Sequence, residues 1–239
     1  RNAVDLNMWQ TLPQLVAQVA EDNTLRVLLL RGTGEEAFIS GADISQFGTT
    51  RSGPDTTHEY NRAVDSALKS LSTLEKPVIS MIHGFCMGGG CSVAVMCDLR
   101  LCAADARFGI PAARLGIAYP LERGVERLVH IVGVSNATEI LLTAQRYNAE
   151  EAAHMGLVNR VLPKAELESY TREYATKLAD NAPLSVAAHK FSVRESAKAA
   201  TLRDMDKVRA WSTRCFGSAD YQEGVKAFME KRQPRFQGK

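Results

Sequence analysis

The chain has 239 residues, 29 Lys and Arg against 27 Asp and Glu, and a formal net charge of +2. That length buries a real core in one large domain, or in one domain with an appendage. A near-neutral balance without a basic stripe of interleaved aromatics argues against nucleic acid, and no apolar run reaches the ~20 residues of a membrane span.

The five cysteines are odd in number and lack paired spacing, which suggests reduced thiols in a cytoplasmic setting and no metal site. Arg1-Asn2-Ala3 leads straight into an amphipathic pattern, so the start reads as truncated rather than as a signal peptide. Leu6, Trp9, Leu12, Val16 and Val19 recur at helical spacing and predict a first helix. The near-continuous apolar run Leu25 to Leu30 predicts a strand covered on both faces. Phe38 to Ile44 is a short strand broken at Gly41, where small residues let a ligand reach the backbone; a plain turn capped by Asp43 fits equally well.

Residues 48–55 read as an exposed loop, and Thr56 with Glu59 as the capping box of a helix carrying Tyr60, Val64, Leu68, Leu71 and Leu74 inward. Val78 to Ile82 is a β-branched run that predicts a buried strand after Pro77. Gly88, Gly89 and Gly90 then open a small, apolar segment that predicts a buried helix. The first N–H groups of such a helix lack intrahelical partners and suit an oxyanion, although a tight turn without function has the same composition. No Lys-Ser or Lys-Thr follows, so a nucleoside triphosphate loop fits badly; the spacing is also not that of a dinucleotide fingerprint. Ser92 lies in a pattern one glycine short of a nucleophile elbow. His83, at the end of the central strand, reads as a packed core histidine.

Leu99 to Ala103 predicts another strand, and Phe108 to Tyr119 an irregular stretch. Asn148 and Glu151 start a helix that ends near Gly156, and Val158 to Leu162 is a final strand. Beyond Pro163 the patterns are helical only: Leu167 to Leu178, a helix from Pro183, one opened by Thr201 and Asp204, and one from Ala219 to Glu230. Strands alternating with helices, then helices alone, predict an α/β core over residues 1–163 and a helical region over 164–239.

The segments FISGADI from Phe38, KPVISMIHGFCMGGGC from Lys76, CDLRLCAADARFGIP from Cys97, EEAAHMGLVNRVLP from Glu150 and YQEGVKAFMEKRQPRF from Tyr221 together resemble the enoyl-CoA hydratase/isomerase superfamily, the crotonases. The resemblance spans the chain in the family's order. It implies a crotonase-type spiral of ββα units with a C-terminal helical trimerisation region, and a homotrimer or homohexamer. It implies an acyl-CoA thioester as substrate, with coenzyme A as part of that substrate and no tightly bound cofactor. By motif position the thioester carbonyl would meet the N–H groups of Ala42 and Gly89. Ala3, Ser40, Asp43 and Ile44 would line the site for the adenine end, and Phe228 and Lys231 would reach a neighbouring subunit's CoA.

Hydratases of this family carry one glutamate shortly after the triple glycine and another after the Phe-Gly-x-Pro turn. Ser92 and Ala112 stand there, and neither is a carboxylate acid or base. The loop Gly116 to Gly124 faces the pocket in relatives and offers Tyr119 as a donor or orienter and Glu122 as a base. The expected activity is that of a lyase or isomerase working through an oxyanion hole without the glutamate pair. A decarboxylase, thioester hydrolase or carbon–carbon lyase is the alternative within enzymes, and a non-catalytic acyl-CoA-binding or assembly subunit the alternative outside them.

Overall fold

A computed structural model describes residues 1–46, 48 and 53–239, with Glu122 described by its backbone only. Elements are numbered in chain order among the described residues. Strands come in pairs, each pair followed by a helix. The first unit is β1 (Leu28–Arg31), β2 (Ala37–Ile39) and α2 (Pro54–Thr73), preceded by α1 (Leu6–Glu21). The second is β3 (Val78–Ile82), β4 (Phe85–Met87) and α3 (Gly89–Met96), and the third β5 (Leu99–Ala103), β6 (Arg107–Gly109) and α4 (Val125–Thr143). Then come β7 (Tyr147–Asn148), α5 (Ala149–His154), β8 (Arg160–Leu162) and four helices: α6 (Leu167–Ala179), α7 (Pro183–Ser196), α8 (Met205–Phe216) and α9 (Ala219–Met229).

Each unit lays its first strand in one sheet and its second in another, giving the orders β1-β3-β5-β8 and β2-β4-β6-β7. This is the expected spiral of ββα units. All pairs are parallel except β6 with β7, where Phe108 faces Tyr147. In the first sheet Ile79 pairs with Leu99 and Met81 with Leu101, and every residue of β3 is buried. Central parallel strands are covered on both faces, which is why Val78 to Ile82 reads as unbroken apolar sequence. Helix α3 lies in the same interior: Gly90 to Met96 are all buried, so it needs no polar face. Helix α6 covers the outer face, with Leu167 fully buried on Ile79, Met81, Leu101 and Ala103. Helices α7 and α8 form a smaller cluster around Leu184, Ala188 and Trp211.

Several elements differ from expectation for local reasons. β1 starts at Leu28 rather than Leu25 and its leucines are only half-buried, because it is a sheet edge and Leu25 is turned back by its N–H bond to Asp22 O (3.1 Å). Helix α2 begins at Pro54, and Thr56 caps from inside the first turn by accepting from Gly53 N (3.1 Å); it is not the capping residue itself. The expected loop before it falls largely on residues 49–52, outside the described residues. Thr201 and Leu202 lie in a separate 3-10 turn, and α8 is capped by Asp204, whose carboxylate accepts from Lys207 N (2.9 Å). The Asn148–Glu151 capping box forms as expected, with reciprocal bonds of 2.9 and 2.7 Å. No helix among the described residues is long and apolar enough to cross a membrane.

Candidate active site

The first component is the turn from β4 into α3. Gly88 closes the strand ladder, donating its N–H to Gly109 O (2.8 Å), and then adopts φ 51°, ψ −113°, which glycine alone adopts cheaply. The next N–H, that of Gly89, heads α3 and has no acceptor among the described residues. A side chain at Gly89 would meet the Trp9 ring, with Cζ2 at 3.2 Å, so α1 supplies the wall behind this donor. Trp9 in turn donates from Nε1 to the Tyr60 hydroxyl (3.1 Å), which pins α1 to α2.

The second component is the turn after β2. The N-terminal segment pairs with it in parallel: Val4 N donates to Gly41 O (2.9 Å) and Asp43 N donates to Val4 O (3.0 Å). That pattern uses the residues on either side of Ala42 and turns Ala42's own N–H the other way, where it has no acceptor among the described residues. The two turns press together. A Cβ on Gly90 would lie 2.5 Å from Ile39 O, and one on Gly41 would lie 3.6 Å from Met87 O. Residues far apart in sequence thus place two free N–H groups on adjoining turns, both partly exposed.

Ala3, Ser40, Asp43 and Ile44 gather along the same edge, tied by the Val4 bonds and by Ser40 N donating to Arg1 O (3.3 Å). The Asp43 carboxylate accepts from Ser45 N (3.0 Å) and Ser45 Oγ (2.6 Å), opening the 3-10 turn Ile44–Gln46, so Asp43 also has the capping role. Phe228 and Lys231 lie at the end of α9, which packs chiefly on α8; Phe228 is 81% exposed and Lys231 takes a positive φ of 55°. His83 is buried, and burial lowers its pKa, partly offset by Glu35, which favours the neutral imidazole.

The third component lies one turn into α3. The Ser92 hydroxyl donates to Arg123 O (2.9 Å) and sits 2.6 Å from the Tyr119 hydroxyl. A serine has one hydroxyl proton, and a carbonyl can only accept. Tyr119 is therefore the donor to Ser92. Burial pushes the Tyr119 phenol well above the usual tyrosine range. The Arg123 guanidinium is held from α2 by Asp65 (2.9 Å). Gly124 takes φ 104° and packs where a Cβ would meet Val95 Cγ2 at 3.0 Å. The space among Cys91, Ser92, Val95, Tyr119, Gly124 and Leu128 has a volume of about 0 Å³ for water. Ala112, in the 3-10 turn Pro111–Leu115, adds only a methyl group. The side chain of Glu122 lies outside the described residues; its backbone is in the turn Leu121–Arg123.

Two larger cavities, about 590 and 720 Å³, open between α1 and the C-terminal helices and among α7 to α9. They have the greater volume, yet neither is lined by Ala42, Gly89 or Ser92, so the candidate site rests on the paired donors and not on cavity size. Among the described residues no His, Cys, Asp or Glu cluster is arranged to hold a metal. The close approach at Gly90, the Trp9 wall and the Asp65–Arg123–Ser92 linkage were not foreseen. Their partners lie 31 to 80 residues apart, and nothing local in the sequence marks them.

Two four-stranded sheets, parallel but for β6 with β7, and a central buried helix define the crotonase class of fold. The crystal structure of an enoyl-CoA hydratase/carnithine racemase from Magnetospirillum magneticum superposes with a TM-score of 0.94 at 31% identity, covering 99% of this chain and 88% of that one. The family described as Enoyl-CoA hydratase/isomerase matches residues 1–239, and the chain belongs to that family. Short-chain-enoyl-CoA hydratase of Clostridium acetobutylicum is 33% identical over 235 residues, spanning 97% of this chain and 87% of its own. Carnitinyl-CoA dehydratase of Proteus mirabilis is 34% identical over 242 residues, spanning 100% and 91%.

Proposed function

We propose that this protein is an acyl-CoA enzyme that holds the thioester carbonyl between the N–H groups of Ala42 and Gly89 and works through the enolate without a glutamate pair. One observation carries the reading: two backbone donors with no acceptor among the described residues, on turns that touch. Chemistry beside a thioester builds charge on the carbonyl oxygen, and a preorganised donor aimed at that charge is worth about 2.7–4 kcal/mol. The relatives named as hydratases, dehydratases and isomerases act on such thioesters. Ser92 and Ala112 offer no acid or base at neutral pH, so ordinary hydration is not the expected reaction.

Coenzyme A belongs to the substrate in this reading, its adenine end toward Ala3, Ser40, Asp43 and Ile44. Phe228 and Lys231 serve a neighbouring subunit in a trimer or hexamer. A second reading follows from the Tyr119 phenol, which holds a proton and cannot act as a base. That suits a reaction whose enolate arises by carbon–carbon cleavage, as in a decarboxylase or lyase, and so needs no base to take an α proton. The test is a panel of acyl-CoAs with products followed by mass spectrometry, run on wild type and on Gly89→Pro, which deletes a donor N–H. Turnover or a melting-temperature rise in wild type that Gly89→Pro abolishes is expected. No effect of any acyl-CoA on the wild type defeats the reading, and binding without turnover makes the chain an acyl-CoA-binding subunit.

A further inference from the structure

Ser92 occupies the position where hydratases of the family carry a carboxylate, and it is 3% exposed with its hydroxyl fully engaged. Three elements converge on it. Helix α3 supplies the hydroxyl, the loop before the turn Leu121–Arg123 supplies Tyr119 at 2.6 Å, and the turn itself supplies the Arg123 carbonyl at 2.9 Å. That carbonyl is fixed from outside, because Asp65 on α2 holds the Arg123 side chain and Gly124 packs directly on Val95 of α3. The proton order is set by chemistry: Tyr119 to Ser92, then Ser92 to Arg123 O. A hydroxyl both accepts and donates at this place, and the space around it holds no water-sized void beside Ser92.

We infer that Ser92 is a positioning residue for Tyr119, taking the phenolic proton, passing its own to the Arg123 carbonyl, and so fixing the seat of the ring and the direction of its proton. Ser92 and Tyr119 then form one hydrogen-bonded unit at the place of the missing carboxylate, with the lone pair of the phenolic oxygen left to accept. Alanine at 92 removes the acceptor of the Tyr119 phenol and the donor to the Arg123 carbonyl, both part-buried. A glutamate there has no space while Tyr119 keeps its seat.

The experiment is a double-mutant cycle of Ser92→Ala and Tyr119→Phe, with two readouts. The first is kcat and KM for whichever acyl-CoA the panel identifies; this arm alone rests on the acyl-CoA reading. Ser92→Ala is expected to lower kcat about tenfold or more with KM little changed, and the double variant to be no slower than Tyr119→Phe alone. The second readout is the ultraviolet titration of the free protein, in which Tyr119 is identified as the difference between wild type and Tyr119→Phe. Ser92→Ala is expected to shift that titration. Ser92→Cys, near in size but a weak hydrogen bonder, is expected to fall between and serves if the alanine variant does not fold. Multiplicative losses in the double variant, or an unchanged Tyr119 titration, overturn the inference. A merely structural Ser92 would lower the melting temperature and leave kcat and the titration as they are. Absence of turnover on every acyl-CoA defeats the activity reading, and the titration still decides the role of Ser92.

Discussion

Gly90 has no room for a side chain, since its Cβ would lie 2.5 Å from Ile39 O. Gly90→Ala is expected to push the two donor turns apart, costing about 1–3 kcal/mol of stability and the acyl-CoA-induced rise in melting temperature. Thermal shift with and without ligand checks both, and a variant that binds as well as wild type would separate the donors from the close approach. Glu122→Gln is expected to lower turnover about 10²-fold if the base comes from this loop, and unchanged turnover removes Glu122 from the chemistry. Tyr119 stays protonated through the neutral range because burial raises its pKa, so no limb of the pH–rate profile below ordinary tyrosine ionisation belongs to it. Much of the site was legible in the residues, because glycine runs mark where backbone must approach something closely. The sequence patterns named Ala42 and Gly89 through the family resemblance, and the absent carboxylates at 92 and 112. They did not show that Ser92 and Tyr119 bond to each other, since a contact across 27 residues leaves no periodic trace.

Between elements, Asp98 ties the core to α7. Its carboxylate accepts from Val78 N (2.8 Å) and meets Lys190 and Arg194, whose side chains are 8% and 19% exposed. Asp98→Ala strands two largely buried cations and is expected to cost about 3–5 kcal/mol in denaturant unfolding, while a loss under 1 kcal/mol would mean the pair is solvated. The C-terminal tail is held differently. Glu223 on α9 accepts from Arg232 at 2.7 and 2.8 Å and from Arg235 N at 2.8 Å. The Arg232 bonds hold its pKa at about 2 against an ordinary 4.5. A carboxylate depressed on folding stabilises above its unfolded pKa and loses that contribution as pH falls through its folded one. The tail is therefore expected to loosen between about pH 4.5 and 2, seen as faster amide exchange at Arg235, and Glu223→Gln is expected to remove that dependence.

Elements with strong local chemistry were readable: the Asn148–Glu151 capping box and the buried run of β3 hold as written. Helix α4 was not read. Gly133, at φ 77° and ψ 165°, breaks it into two short pieces whose apolar stripes do not share one phase. Strand β4 was missed because three residues between Gly84 and Gly88 are too few to show a period.

At the scale of the molecule, Phe216, Tyr221, Val225, Phe228 and Met229 on α8 and α9 are between 49% and 81% exposed, a large apolar face for one chain. Assembly through this face is expected, and light scattering at micromolar concentration is expected to report a trimer or hexamer. Val225→Glu with Phe228→Glu should shift it to monomer, and a wild-type monomer would contradict the assembly.

As proposed, this member of the family binds acyl-CoA thioesters but lacks hydratase machinery. The measurement is crotonyl-CoA hydration by the wild-type protein, at a concentration where crotonyl-CoA raises its melting temperature. Hydration about 10²–10⁴-fold below the ~10 s⁻¹ typical of enzymes is the result expected from Ser92 and Ala112. Hydration at that typical rate, unaffected by Tyr119→Phe and Glu122→Gln, would contradict it.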